Sequence, residues 1–174
     1  MGKQHNISRG SFIGFEQLGH TNVEVQFIDN GGLMMDIQVA EKFSQQDYDA
    51  MTLRKQVLGS TINRKQEKNW TTYIAVEDGQ VIGTASIQLY PFRFARIRQV
   101  AVTPEFQGKR IGNQLLDYCE AYAVDHGHSV VILTGRKNAS IFYMKRDYRV
   151  LLFPFKKHDI NFFWMGKKIT EEVC

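Results

Sequence analysis

The apolar and polar positions divide the chain into short alternating runs and two longer helical stripes. Near the N-terminus, Val23, Val25 and Phe27 alternate with polar neighbours, which is the pattern of a strand or hairpin arm. From Met35 the pattern becomes regular, and residues 37–41 read as a strand. Residues 44–58 read as a helix, with Ser44 as N-cap, Asp47 three positions on and Tyr48, Met51, Leu53, Val57 and Leu58 supplying its apolar face. Gly59 ends it, and a short second helix fits within residues 61–68. Residues 71–76 and 81–90 are two β-rich runs separated by Glu77-Asp78-Gly79-Gln80, a strong hairpin signal. A strand at 96–102 follows Pro91. Residues 108–126 carry Ile111, Leu115, Cys119 and Tyr122 on one stripe and read as a long helix closed by Gly127. A buried strand at 130–133, a short helix at 138–146 and strands at 148–155 and 160–165 complete the chain.

This order predicts an α/β (α+β) fold: a mixed, mostly antiparallel sheet of about six to seven strands flanked by about four helices. The helix at 108–126 is the expected right-handed crossover between two parallel strands. The division expected is a single domain over residues 35–174, preceded by an extension over 1–34. That extension reads either as an added edge strand or dimer arm, consistent with a homodimer, or as an upstream start with Met35 as the natural first residue.

Composition narrows the class. The 174 residues are 43 % hydrophobic and contain no apolar run of the roughly 20 residues that a bilayer span needs. The first eleven residues lack a signal-peptide core, so a cytoplasmic protein that does not engage membrane is expected. The net charge of +4 is too mild and too scattered to imply nucleic acid. Two cysteines, Cys119 and Cys174, and five histidines without ligand spacing predict neither a disulfide framework nor a metal site. Cys119 lies on an apolar stripe and reads as a small buried hydrophobe.

The chemistry concentrates where the 96–102 strand meets the long helix, at Gln107-Gly108-Lys109-Arg110-Ile111-Gly112-Asn113. Gly108 and Gly112 remove side chains where a ligand would approach the backbone. The first helical turn offers unpaired N–H groups and a positive dipole end. Lys109 and Arg110 add charge, and together these make an anion site suited to a pyrophosphate. The spacing is neither that of a P-loop nor that of the dinucleotide fingerprint.

Ile97-Arg98-Gln99-Val100-Ala101-Val102 followed by Gln107-Gly108-Lys109-Arg110-Ile111-Gly112 resembles motif A of the GNAT acetyltransferase superfamily, [Q/R]-x-x-G-x-[G/A]. Arg110 replaces its middle glycine. Downstream, Asn138-Ala139-Ser140-Ile141-Phe142-Tyr143-Met144-Lys145 is similar to the family's N-x-x-A-x-x-F-Y-E-K-x-G-F segment, compressed, with Asp147 where its glycine stands and Tyr148 where its last Phe stands. The resemblance covers about residues 35–166.

The resemblance implies acetyl-CoA as co-substrate, held with its pantetheine arm on the backbone of Val100, Ala101 and Val102. It places the pyrophosphate on the amides of Gln107, Gly108, Lys109, Arg110, Ile111, Gly112 and Asn113. Asn138 would bond the arm, and Tyr143 would sit near the sulfur as general acid. It implies transfer of an acetyl group to a primary amine of a small molecule or peptide, by direct attack in a ternary complex and without a metal. The alternative is a non-catalytic acyl-CoA sensor, because two acids or bases are missing. Arg96-Ile97-Arg98-Gln99 holds no carboxylate, and Phe162 stands where a similar bacterial subgroup has a histidine. Glu67, Glu77, His158 and Asp159 are the substitute bases. Residues 43–70 and the late strands would set the acceptor.

Overall fold

In the computed structural model, residues 25–28, 34–61 and 63–169 are described. Val25–Ile28 forms strand β1, and Met34–Val39 forms β2, which pairs antiparallel with it from Val25 opposite Ile37 to Ile28 opposite Met34. The rest of the N-terminal extension, the start-site reading and Cys174 lie outside the described residues.

Helix α1, Gln45–Leu58, starts as its sequence demands. Ser44 Oγ accepts from the Asp47 amide at 3.2 Å, and Asp47 Oδ2 accepts from the Phe43 amide at 3.0 Å, a reciprocal cap. Gly59 closes the helix in the left-handed region, at φ 64°. The short α2, Arg64–Glu67, follows. Strands β3 (Thr71–Glu77) and β4 (Gln80–Leu89) are joined through Asp78 and Gly79, both at positive φ, which is the tight turn that Asp-Gly favours. Strand β5 is Phe94–Val102, helix α3 Ile111–Asp125 and strand β6 Val130–Arg136. A 3₁₀ turn at Lys137–Ala139 leads into α4, Ser140–Met144.

Two sequence expectations change here. The expected helix at 108–126 begins at Ile111, because Gly108 (φ 81°) and Arg110 (φ 64°) hold the preceding loop out of the helical region. The expected strand at 148–155 is two short strands instead, β7 (Arg149–Val150) and β8 (Phe155–Lys157). Pro154 lies between them, lacks an amide to donate and restricts Phe153 before it. Strand β8 then turns through His158 and Asp159, again both at positive φ, into β9 (Ile160–Lys168).

Among the described residues the sheet has nine strands in the order β1-β2-β3-β4-β5-β6-β9-β7, with β8 also paired to β9. Among these described strands only β5 and β6 pair in parallel, and α3 is the crossover between them. One face carries the main core, in which Ile37, Ala75, Ile87, Ile97, Val131 and Leu133 pack under Ile111, Leu115, Leu116 and Cys119 of α3. Cys119 is fully buried there, and burial pushes its thiol well above the usual range, so it is inert. Helix α1 covers part of the opposite face, against β3, β4 and β5. No described helix is long and apolar enough to cross a membrane.

Candidate active site

Strands β5 and β6 pair only from Phe94 to Arg96, opposite Val130 to Ile132, although β5 runs on to Val102 and β6 to Arg136. Beyond Arg96 and Ile132 the ladder stops while both strands continue, which leaves a gap between them. The cause lies in β5. Thr84 and Ser86 of β4 are separated by one residue, whereas their partners Ala101 and Arg98 are separated by two, so β5 carries a bulge at Gln99 and Val100. Gln99 is in the left-handed region, at φ 54°, and such a kink re-aims the strand.

The bulge rests on a buried polar cluster. Arg54 of α1 is 1 % exposed. It donates to Glu67 Oε2 at 3.0 Å, to Ser86 Oγ at 3.3 Å and to the Gln99 side-chain oxygen. Thr72 Oγ1 lies 2.9 Å from Ser86 Oγ. Burial pulls the Arg54 guanidinium below its ordinary value, and the Glu67 charge opposes that. The cluster thus ties α1, α2, β3 and β4 to the kink in β5.

Past the bulge the backbone faces the gap. Thr103 donates its amide to the Ile82 carbonyl on β4 at 2.9 Å. Alternation along the strand therefore turns the polar groups of Val102 and Val100 the other way, into the gap, while Ala101 faces β4. Gln107 Nε2 donates to the Val102 carbonyl at 3.0 Å and fastens the loop to the strand end. The first backbone bond of α3 runs from the Gln114 amide to the Arg110 carbonyl at 3.1 Å. The amides of Ile111, Gly112 and Asn113 therefore have no helix carbonyl to bond and form the free N-terminus of a fifteen-residue helix.

The two glycines of the loop serve different ends. Gly108 takes a positive φ, and a Cβ added there would meet nothing within 4 Å. Gly112 lies against Phe142, where an added Cβ would sit 3.3 Å from the ring, so it lets α4 close on α3. Gly112 was expected only to clear space for a ligand, and its packing contact adds a second requirement. Arg110 and Asp147 stand at the two motif positions where glycine is usual. Both occupy the left-handed region, at φ 64° and 67°, which is the conformation that glycine would supply without strain.

Tyr143 on α4 is 8 % exposed. Its ring packs on Gly135 of β6, where even a Cβ would come within 3.0 Å, and lies edge-on to Tyr148 at 6.0 Å between centroids. Burial pushes its phenol up to about 12, so it holds its proton throughout the neutral range. Asn138 is exposed at the end of β6, in an open cleft of about 510 Å³ lined by Arg136, Lys137, Asn138, Ile160 and Asn161. The loop 107–113 follows the C-terminal end of β5, and Asn138 follows that of β6. The mouth of the gap therefore brings both motif segments to one edge of the sheet.

The substitute bases fare differently. Glu67 is drawn toward the bulge, but as the counter-ion of Arg54. Glu77 closes the β3–β4 hairpin, two strands from the gap. His158 and Asp159 form the exposed β8–β9 turn, where Asp159 pairs with Lys156 at 3.3 Å. No group of three or more potential metal ligands occurs among the described residues.

Comparison with known proteins agrees with this architecture. Residues 34–148 match the model of the acetyltransferase (GNAT) family. The chain is 40 % identical over 78 residues to an uncharacterised N-acetyltransferase of Chlorobaculum tepidum, covering 44 % of this chain and 48 % of that protein. It is 28 % identical over 92 residues to the aminoalkylphosphonate N-acetyltransferase of Salmonella typhimurium, covering 48 % and 60 %. The chain thus spans roughly half the length of the curated relatives it matches. In fold it is similar to Ard1 from Thermoplasma volcanium (TM-score 0.67, 18 % identity, 79 % of this chain and 99 % of that one). It is also similar to a GNAT acetyltransferase from Elizabethkingia anophelis with acetyl-CoA bound (TM-score 0.64, 18 % identity, 77 % and 97 %). With a splayed parallel pair, a free helix N-terminus at its mouth and a family match over two thirds of its length, the chain belongs to the acetyltransferase (GNAT) family.

Proposed function

We propose that the protein transfers an acetyl group from acetyl-CoA to a primary amine. The observation that carries this reading is the gap between β5 and β6, with unpaired backbone on its wall and the unpaired amides of Ile111, Gly112 and Asn113 at its mouth. The residues present fit the co-substrate. The α3 N-terminus with Gly108, Lys109 and Arg110 takes the pyrophosphate, Val100 and Val102 offer strand hydrogen bonds to the pantetheine arm, and Asn138 bonds it from the turn after β6. The thioester end then lies inward, near the point where the strands part.

Three demands of the reaction fall on this chain. The attacking amine must be neutral, and in the absence of a free carboxylate on residues 96–99 water takes its proton. The oxygen that becomes negative on attack accepts from the Val100 backbone N–H. The departing thiolate receives the proton that Tyr143 keeps at neutral pH. Holding both substrates in one cleft supplies much of the acceleration, and no covalent bond to the enzyme is needed.

Acetyl-CoA consumption against polyamines, amino acids, aminoglycosides and peptide N-termini tests the assignment. Tyr143→Phe keeps the ring in its seat on Gly135. It should lower kcat by about 10²–10⁴-fold on any accepted amine, with acetyl-CoA affinity nearly unchanged. Unchanged turnover at saturating acetyl-CoA would remove Tyr143 from the mechanism. Tight acetyl-CoA binding with no turnover across the panel would instead identify an acyl-CoA sensor.

A further inference from the structure

The point where β5 and β6 part carries two arginines that the donor half does not use. Arg96 is the last β5 residue paired with β6, and Arg98 is the first side chain beyond it on the same face. They stand opposite Gln88 and Ser86 on β4. Because Ser86 bonds Arg54 of α1, this is the face of the sheet away from α3. Each guanidinium lies over an indole: Arg96 over Trp164 of β9 at 4.5 Å, and Arg98 over Trp70 before β3 at 5.0 Å. Arg98 Nη2 also donates to Tyr90 Oη at 2.8 Å, and that hydroxyl donates in turn to Gln88 Oε1 at 2.7 Å.

Rings and hydroxyl thus fix both forks in place, yet neither meets a carboxylate among the described residues. The Nε of each is buried without a partner. Burial, and then the like charge of Arg98, pull the Arg96 guanidinium below its ordinary value. Two adjacent half-buried cations without a counter-ion among the described residues are unfavourable until an anion arrives, and a preformed fork loses little entropy in taking one.

We infer that Arg96 and Arg98, walled by Trp70 and Trp164, hold a compact oxyanion, carboxylate or phosphoryl, that belongs to the acceptor amine. This rests on the acetyl-transfer reading above, which directs the thioester end to the same junction. The pyrophosphate sits on the α3 side, so the opposite face is left for the acceptor. An oxyanion on the arginines then leaves the amine of the same small molecule directed toward the gap. The acceptor class is an amine bearing an acidic group, rather than a polyamine or another polycation.

The test uses the full chain saturated with CoA, which fills the phosphate loop and prevents turnover. Calorimetric titration compares phenylalanine with phenethylamine for the carboxylate arm, and phosphoethanolamine with ethanolamine for the phosphoryl arm. The anionic member of at least one pair should bind at least about tenfold more tightly. The double variant Arg96→Met, Arg98→Met, which keeps the aliphatic stems, should lose that preference while CoA affinity stays unchanged. Equal or weaker binding of both anionic members in the wild type, which needs no variant, overturns the inference. So does a preference that survives in the double variant. Absence of acetyl transfer in a separate assay would sink the enzymatic reading without altering these binding results.

Discussion

The two sides of the β5–β6 junction are built from different materials. On the α3 side, the groups that suit the co-substrate are main-chain amides and carbonyls, arranged by glycines, by left-handed residues and by one bulge. On the opposite face the useful groups are side chains drawn from separate elements: Trp70 ahead of β3, Tyr90 after β4, Arg96 and Arg98 on β5 and Trp164 on β9. A backbone site is the same whatever side chains decorate it, so it suits a donor common to a family. A side-chain site can be rewritten residue by residue, so it suits an acceptor that differs between members. The buried Arg54–Glu67 pair connects the two halves, because it holds the bulge that shapes one and lies beneath the strand that carries the other.

Three substitutions probe that contrast. The largest effect is expected at Glu67→Ala, which leaves Arg54 buried without its counter-ion. Urea unfolding should show a loss of about 3–5 kcal/mol, and a loss below about 1 kcal/mol would mean that the cluster does not hold the bulge. Next, Gly112→Glu sets bulk against Phe142 and negative charge at the helix N-terminus. It should weaken acetyl-CoA binding at least about tenfold by calorimetry, while the anion preference assigned to Arg96 and Arg98 persists. Equal affinity would move the pyrophosphate elsewhere. The smallest effect is expected at Arg110→Gly, which relieves a left-handed arginine and should raise stability by about 1 kcal/mol in the same unfolding assay. If the phosphate site is chiefly backbone, acetyl-CoA affinity should change less than about threefold at moderate salt. A larger fall would show that the Arg110 charge shares the task.

Much of the fold was legible because it is encoded locally. Ser44, Gly59, Asp78-Gly79 and Gly127 punctuate the chain with residues whose conformational or capping preferences act within a few positions. The apolar period of α3 identifies the crossover. The β8–β9 hairpin escaped because its turn uses His158 and Asp159 in place of the usual Asn-Gly or Asp-Gly. The bulge at Gln99 escaped for the same reason, since no glycine marks it.

The candidate site divides along the same line. The resemblance to two family motifs singled out the loop 107–113, Asn138 and Tyr143 as candidates, because a helix N-terminus and a spaced motif are one-dimensional signals. Sequence order also determined the single parallel pair, since a strand, a long amphipathic helix and a buried strand allow only one crossover. The tertiary structure decided how far that pair stays together, which turns on a buried arginine 45 residues from the glutamine it bonds. It also decided that Glu67 serves as a counter-ion rather than a free base, that Gly135 seats Tyr143 and that two arginines and two tryptophans share one face. Those facts depend on register and burial between distant segments. A one-residue slip of any strand would send the same side chains to the other face of the sheet, and no local preference reports that choice.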